Sequence, residues 1–309
     1  MAILEESAVP GSRVTRLAMS SIGQQRKTKR CPPTPRLDGK RVLVTGGTNG
    51  IGIEIARGVL ARGADVILPC RNPQKGARVR DELRQNGNGR VDLVAMDLAD
   101  LRSVREGAPQ ITAAGGRIDV LIENAGVWER KYSLTPQGHE ISFGINVLGH
   151  FLLRQLLLDA GLLAGARVVV VTGDIYVLEK ECTPDFTWQG SRGGMRAYCR
   201  SKLGNLWIAA ELQKRHPELT VYVVHPGAID TDLGGKAGPI AGWVKRNVMI
   251  DADLGAQTPL ICATQEGLER GAYYHNSFGL MRLPATDAAR NSSAAAELWV
   301  TCEKLVAGR

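Results

Sequence analysis

Apolar and polar positions along this chain switch repeatedly between a strand-like run and a helix-like spacing. Arg41-Val42-Leu43-Val44-Thr45 predicts a short buried strand, and the stretch from there to about Arg62 predicts a glycine-rich turn and a helix. A second strand is expected over Asp65 to Cys70 and a helix from about Pro73 to Gln85, closed by the turn Asn86-Gly87-Asn88-Gly89. A third strand, Val91 to Met96, precedes a helix over 100–113, and a fourth runs from Ile118 to Ile122. A long helix around Pro136 to Ala160 carries Ile141, Phe143, Ile145, Val147, Leu148, Phe151 and Leu152. The run Ala166 to Thr172 is almost pure valine, the pattern of a central strand covered on both faces. A helix from Tyr198 to about His216, a strand Leu219 to Val224, a further helix, a strand Tyr273–His275 and a helix over about 287–306 complete the series. Regular alternation of this kind predicts an α/β fold, a single doubly wound parallel sheet with helices on both faces, spanning residues 39–309 without repeat or internal boundary.

Two stretches break the pattern. Residues 233–250 are rich in Gly and Pro and then apolar around Trp243, Val244, Val248 and Ile250, which predicts a substrate lid. Residues 1–38 are polar and end in the stiff Pro32-Pro33-Thr34-Pro35, which predicts a flexible basic extension, with Met19 a candidate start for a shorter chain. The net charge of +8 is concentrated there. Residues 1–40 hold eight basic side chains against Glu5, Glu6 and Asp38, or +5, so the body carries only +3, too little for a nucleic-acid surface.

With 309 residues, 44% of them hydrophobic, the chain can bury a substantial core. Its six cysteines, at 31, 70, 182, 199, 262 and 302, show no CxxC and no metal spacing, which suits reduced thiols in a cytoplasmic protein. No apolar run approaches the ~18 residues that a membrane-crossing helix needs, and the N-terminus lacks a secretory core.

Candidate chemistry gathers at the expected strand ends. Gly46, Gly50 and Gly52 lie between a strand and a helix, where a phosphate-cradling turn lets the backbone approach a pyrophosphate at the helix N-terminus. The Gly-Lys-Ser/Thr ending of an ATP-hydrolysing loop is absent, so a dinucleotide is the expected ligand. At the end of the second strand an NAD site usually carries an acidic residue; Cys70 stands there and Arg71 follows, which favours the 2′-phosphate of NADP(H) over NAD(H). Asp97, Asn124, Ala125 and Gly126 fall at further strand ends. Tyr198 and Lys202 are four positions apart and so leave one helix face, where the ammonium is expected to lower the phenol from its usual value of about 10 and make Tyr198 a proton donor and acceptor. Asn146 is a polar residue inside an apolar run, which by itself reads as a satisfied core amide.

Taken together, Thr45-Gly-Gly-Thr-Asn-Gly-Ile-Gly52, Asn124-Ala-Gly126, Asn146, Tyr198-x-x-x-Lys202 and Pro226-Gly227 resemble the signature set of the short-chain dehydrogenase/reductases, which share a Rossmann-type sheet. Cys70-Arg71-Asn72, Phe143-Gly-Ile-Asn-Val-Leu-Gly-His-Phe151, Ser201-Lys-Leu-Gly-Asn205 and His225-Pro-Gly227 resemble the branch of retinol dehydrogenases, WW-domain oxidoreductases and protochlorophyllide reductases. The resemblance implies that Gly46, Asn49, Gly50, Ile51 and Gly52 cradle the pyrophosphate, that Asp97 and Leu98 border the adenine, and that Thr48, Arg71 and Asn72 are also among the cofactor-binding residues. It implies that Asn124 lies by the ribose, that Lys202 also grips the nicotinamide ribose, that Ile229 and Thr231 hold the carboxamide, and that Ala125, Gly126, Pro226 and Gly227 are among the cofactor-binding residues. Tyr198 would protonate a carbonyl oxygen as hydride arrives, and Asn146 would hold a water that relays protons to Lys202. Family likeness also suggests a homodimer or homotetramer.

Two positions depart from that pattern. Glu123 stands where the family often has the first of two asparagines, and Gly173 stands where a second serine helps to polarise the substrate carbonyl. Losing such a donor typically costs ~10²–10³ in rate. Thr172 is one substitute, although alternation along the strand turns it away; a protonated Asp174 is another. Otherwise the substrate needs no such donor, or the chain no longer turns over a carbonyl. The expectation is therefore an NADP(H)-dependent oxidoreductase that interconverts a carbonyl and an alcohol on a small, mainly apolar substrate, held between Trp128, Tyr132, the 185–195 segment and the 233–250 lid. The alternatives are a cofactor-binding scaffold or sensor without turnover, and a C=C reductase using the same Tyr198.

Overall fold

A computed structural model describes residues 3–8, 13–85, 87, 89–113, 115–183, 193–229 and 249–307. Among these, nine strands form one sheet: β1 (Glu6–Ala8), β2 (Arg41–Val44), β3 (Asp65–Cys70), β4 (Val91–Ala95), β5 (Val120–Glu123), β6 (Arg167–Val171), β7 (Thr220–His225), β8 (Tyr273–His275) and β9 (Gly279–Arg282). Their order across the sheet is β1-β9-β8-β7-β6-β5-β2-β3-β4, parallel throughout except for the antiparallel β8–β9 pair. The chain moves outward from β2 to β3 and β4, then crosses back to place β5 on the other side of β2. Ligands bind such sheets in the crevice at that reversal, outside the carboxyl ends of the strands.

Helices α1 (Arg13–Ser21), α2 (Gln24–Lys27), α3 (Gly50–Leu60), α4 (Pro73–Arg84), α5 (Leu101–Ala113), α6 (Ile141–Asp159), α7 (Gly193–Arg215), α8 (Ala252–Thr264) and α9 (Ser292–Ala307) accompany the sheet. Alternation along each strand divides the core in two. Leu43, Ile67, Leu121, Val168 and Val170 pack with α5, α6, α7 and α9 on one face; Val42, Val44, Val66, Val169 and Val171 pack with α3, α4 and α8 on the other. The valine strand is central and buried, as its composition predicts.

Three differences from the sequence pattern matter. The long helix begins at Ile141, where Glu140 caps it by accepting from the Phe143 amide, and it opens into a π-helical turn over Gly144–Gly149. By length and apolarity this helix alone, among the described residues, could cross a membrane, whereas no such run is expected from the sequence; 78% of its apolar window is buried inside the protein, as the central core helix. Residues 3–8 and 13–38 are also not a loose extension. β1 pairs with β9 at the sheet edge, and α1 and α2 pack over the ends of β6, β7 and β8 through buried Arg16, Ser20, Gln24 and Thr28. The expected lid at 233–250 and the 185–195 segment fall for the most part outside the described residues, as does Thr231.

Candidate active site

The glycine turn after β2 is built for close approach. Gly46 and Gly50 have φ of 67° and 47°, in the region that favours glycine. A β-carbon on Gly52 would stand 2.2 Å from the Gly46 carbonyl oxygen, and one on Gly46 would stand 2.9 Å from Ala125 Cα. The turn therefore leans on Asn124 and Ala125 beyond β5, across the reversal point of the sheet. Thr45 ties the two ends together: its Oγ1 accepts from the amides of Asn124 (2.9 Å) and Ala125 (3.0 Å), and its carbonyl accepts from Asn124 Nδ2 (2.9 Å). Thr48, Asn49, Gly50 and Ile51 lead from this turn into the first residues of α3. Ile51 meets Gly255 of α8, which packs against Ile229 as well.

At the end of β3, Arg71 is exposed and Asn72 caps α4 by accepting from the Lys75 amide at 2.9 Å. Lys75, which sequence reasoning missed, bonds through Nζ to the side chain of Asn49. Two cations thus flank the glycine turn; the spacing Arg71-x-x-x-Lys75 at a helix start was the available signal. Asp97 and Leu98 follow β4, with Asp97 Oδ1 accepting from the Ala99 amide (2.9 Å) and buried Leu98 lying against Gly149 of the π-turn. Pro226 and Gly227 follow β7, and Ile229 bridges to Ile250. A nicotinamide dinucleotide fits this cradle on three counts: positive-φ glycines, contacts that admit no β-carbon, and, at the carboxyl end of β3, Cys70-Arg71-Asn72 with a cation in place of a carboxylate.

Tyr198, Lys202, Asn146 and Gly126 come together on the other side of the crevice. Lys202 is 4% exposed; its Nζ donates to the Val171 carbonyl at 3.2 Å and lies 5.6 Å from the Tyr198 ring centroid. A β-carbon on Gly126 would be 3.3 Å from that Nζ and 3.6 Å from Asn146 Oδ1, so glycine keeps the approach open. Burial lowers Lys202 to about 8. Contrary to the expectation that Lys202 lowers the phenol, burial raises Tyr198 to about 12, with Cys199 adding to the effect. The ammonium donates to the Val171 carbonyl, and the loss of water around the Tyr198 hydroxyl dominates.

Asn146 is satisfied within the protein. It accepts from the Val127 amide (2.8 Å) and donates to the Val127 carbonyl (3.0 Å) and Ser201 Oγ (2.9 Å). Ser201 in turn donates to the Tyr198 carbonyl at 2.7 Å, which links the π-turn to the tyrosine helix. Four and eight residues on, His150 pairs with Thr45 Oγ1 at 2.8 Å and Arg154 meets Glu123 at 2.5 Å. Glu123 is thus a buried half of an ion pair, a role that its place in the motif did not disclose. Trp128 lies with its ring centroid 6.2 Å from that of Tyr198, while Tyr132 is exposed.

The geometry also decides what faces the tyrosine from Gly173, where the family resemblance leads one to expect a serine. A β-carbon on Gly173 would lie 3.9 Å from the Tyr198 hydroxyl, so this is the position from which a side chain would meet the tyrosine. Thr172 is not a substitute, because its hydroxyl donates to the Lys202 carbonyl at 2.8 Å. Asp174 is not a protonated donor either. Burial works against its ionised form, but His275, His225 and Arg16 work for it and hold the carboxyl well below the usual range. His275 stands 3.6 Å away, beyond hydrogen-bond distance, so Arg16, whose Nε lies 3.0 Å from Oδ2, is the principal partner.

Comparison with known proteins agrees with this architecture. The short chain dehydrogenase family model matches residues 40–239. The chain is 37% identical to human retinol dehydrogenase 12 over 284 residues, 89% of each protein, and 33% identical to human retinol dehydrogenase 13 over 291 residues, 89% of this chain and 87% of that one. Among solved structures, a protein of Mycobacterium paratuberculosis superposes with a TM-score of 0.71 at 30% identity, covering 90% of this chain and 98% of that one. A short chain dehydrogenase of Burkholderia cenocepacia, solved in complex with NADP, gives a TM-score of 0.64 at 27% identity over 77% of this chain and 96% of that one. With its cradle at the sheet reversal and its tyrosine and lysine on one helix face, the chain belongs to the short-chain dehydrogenase/reductase family of oxidoreductases, in the retinol dehydrogenase-like branch.

Proposed function

We propose that this protein is an NADP(H)-dependent oxidoreductase that interconverts a carbonyl and an alcohol on a small, mainly apolar substrate, with Tyr198 as general acid and base. The observation that carries the reading is the position of Tyr198: its hydroxyl faces the Gly173 strand end while Lys202 and Asn146 close around Gly126 behind it. The cations Arg71 and Lys75 beside β3 favour the 2′-phosphate form of the cofactor, and an NADP-bound relative of the same fold is in keeping with that choice. When bound, the nicotinamide supplies or accepts hydride.

The side chains supply the proton. A phenol at about 12 is protonated at neutral pH and can donate to a carbonyl oxygen as negative charge develops there. Lys202, at about 8, is the stronger acid of the two, so proton return from the ammonium side to the phenolate is downhill. Trp128 supplies apolar surface beside the tyrosine. A reducing, cytoplasmic setting suits the six cysteines, five of them buried thiols.

The test is incubation with NADPH or NADH and a panel of ketones, aldehydes and quinones, with product analysis to separate C=O from C=C reduction. NADPH oxidation that vanishes in Tyr198→Phe, with cofactor binding retained, is the expected result. Gly173 favours one rival: a cofactor-binding protein without turnover, since neither Thr172 nor Asp174 replaces the absent hydroxyl. Tight NADPH binding with no turnover on any carbonyl would establish the rival and overturn the enzyme reading.

A further inference from the structure

Every fourth residue from Arg16 to Thr28 is polar and buried: Arg16, Ser20, Gln24 and Thr28 are 2%, 4%, 1% and 7% exposed. Buried polar groups persist where they have partners; the Ser20 and Thr28 hydroxyls donate within the segment, to the Leu17 and Gln24 carbonyls (both 2.8 Å), and the stripe's other partners lie past the ends of β6, β7 and β8. Arg16 bonds both carboxylate oxygens of Asp174 and reaches the Tyr176 hydroxyl (3.0 Å) and Asp287 (3.2 Å). The Ser20 carbonyl accepts from Ser277 Oγ at 3.2 Å. Gln24 accepts from the Ala228 amide (3.1 Å) and donates to its carbonyl (2.9 Å), gripping the backbone one residue past Gly227. Thr28 Oγ1 accepts from Asn276 Nδ2 at 3.0 Å. One short segment therefore touches the ends of β6, β7 and β8.

We propose that α1 and α2 are a positioning element of the active site, with Arg16 the residue that sets the wall opposite Tyr198. Asp174 is 1% exposed and adjoins Gly173, the position that faces the tyrosine hydroxyl. The groups around its carboxylate are Arg16 from α1, His225 from β7, and Tyr273 and His275 from β8, with Tyr273 donating at 2.9 Å. Of these only Arg16 brings a fixed positive charge: burial keeps both histidines neutral, His225 at about 3, and the His225 Nδ1 accepts from the Asp174 amide at 3.2 Å. The guanidinium fork meets both oxygens at once, which fixes direction as well as charge, something an ammonium does not do. Arg16 thereby pins the turn Asp174–Leu178 and holds Gly173 at its distance from Tyr198. The effect on turnover rests on the oxidoreductase reading; the pinning of the turn does not.

The experiment compares Arg16→Met, Arg16→Lys and the double variant Arg16→Met/Asp174→Asn in the full chain, by hydrogen exchange and by kinetics. In Arg16→Met, amides 174–178 should exchange about tenfold faster while β4 is unchanged. Its kcat should fall by up to about 10²-fold, as misplacement of a reacting wall does, with NADPH affinity kept. The loss should be deepest above neutral pH and shrink on the acid side, because Asp174 without its cation is pushed up by burial and takes a proton there. The double variant removes the stranded charge and should regain both protection and a flat pH profile, and Arg16→Lys should regain part of each. If Arg16→Met does not fold, the lysine and double variants carry the comparison with wild type. Exchange at 174–178 unchanged by every substitution, equal loosening in the double variant, or a loosened turn with undiminished kcat would each overturn the proposal. If wild type turns over no carbonyl, the oxidoreductase reading fails separately, and the exchange result alone decides whether Arg16 holds the turn.

Discussion

Gly173 faces the hydroxyl of Tyr198 across a gap that would just admit a side chain: a β-carbon there lies 3.9 Å from the hydroxyl and 3.7 Å from both Ile175 and Lys202. All three are ordinary van der Waals distances, and the backbone at Gly173 is extended, with φ of −149°. Nothing local requires glycine. Gly173→Ser should therefore fold with stability within about 1 kcal/mol of wild type, the loss of unfolded-chain freedom offsetting the burial of one hydroxyl, and its hydroxyl should add a donor worth ~10²-fold in kcat toward small ketones. A urea melt and initial rates on one carbonyl series check both halves. A fall in rate instead of a rise would mean that the substrate fills the space beside the glycine.

Lys202 gives a stability prediction with a definite sign. Its folded value, about 8, lies below the ordinary 10.5, so from about 8 to 10.5 the unfolded chain holds more protons and stability rises with pH. Below about 8 the burial penalty is fully present. Lys202→Met removes a buried ammonium that is 4% exposed, at the loss of one bond to the Val171 carbonyl. The variant should be more stable than wild type at neutral pH, by on the order of 2 kcal/mol, flat across that alkaline window, and inactive. Denaturation at pH 7.5 and 9.5 is the measurement; a variant less stable than wild type at both values would show that the ammonium stabilises the fold.

The sheet and the cradle were legible because their signals are apolar periodicity and glycine spacing. β2 to β8 fall within a residue or two of where the hydrophobic runs put them, and Gly46 to Gly52 form the expected turn. What escaped were polar stripes that are buried. On α6, Asn146, His150 and Arg154 recur every fourth residue and are 1%, 3% and 1% exposed, yet only Asn146 stood out, because its neighbours read as solvent-facing. Arg16, Ser20, Gln24 and Thr28 hid the folding of the N-terminal segment in the same way. Hydrophobicity patterns report burial only where burial is apolar, and a guanidinium with its partners satisfied from distant strands leaves no trace in local sequence. The raised Tyr198 has a similar origin: helix spacing gave the neighbour but not the loss of water around the hydroxyl.

Glu123 and Arg154 make a second pair whose partners the sequence separates. Both are nearly inaccessible, so removing one strands the other. Glu123→Asn, which restores the residue common in the family, should destabilise the protein by about 3–5 kcal/mol. Pairing it with Arg154→Leu should recover most of that, because an apolar replacement of both halves is often neutral or better. Chemical denaturation of the two single variants and the double variant gives the coupling directly, and additive losses would mean that the two side chains act independently.

Cofactor choice is the remaining prediction, and it turns on charge at one strand end. Cys70 is buried and offers no acceptor, while Arg71 and Lys75 are exposed beside the glycine turn. A carboxylate at that end of β3 would repel a 2′-phosphate and accept from a 2′-hydroxyl, reversing the preference proposed for this site. Arg71→Glu should raise the KM for NADPH about 10²-fold and improve NADH modestly. Lys75→Ala should cost less, since its ammonium is exposed and already engaged with Asn49. Because both cations lie in solvent, the proposed NADPH advantage should also narrow as salt rises. Measuring KM for both cofactors at low and high ionic strength tests this; equal KM values for NADPH in wild type and Arg71→Glu would remove Arg71 from the phosphate site.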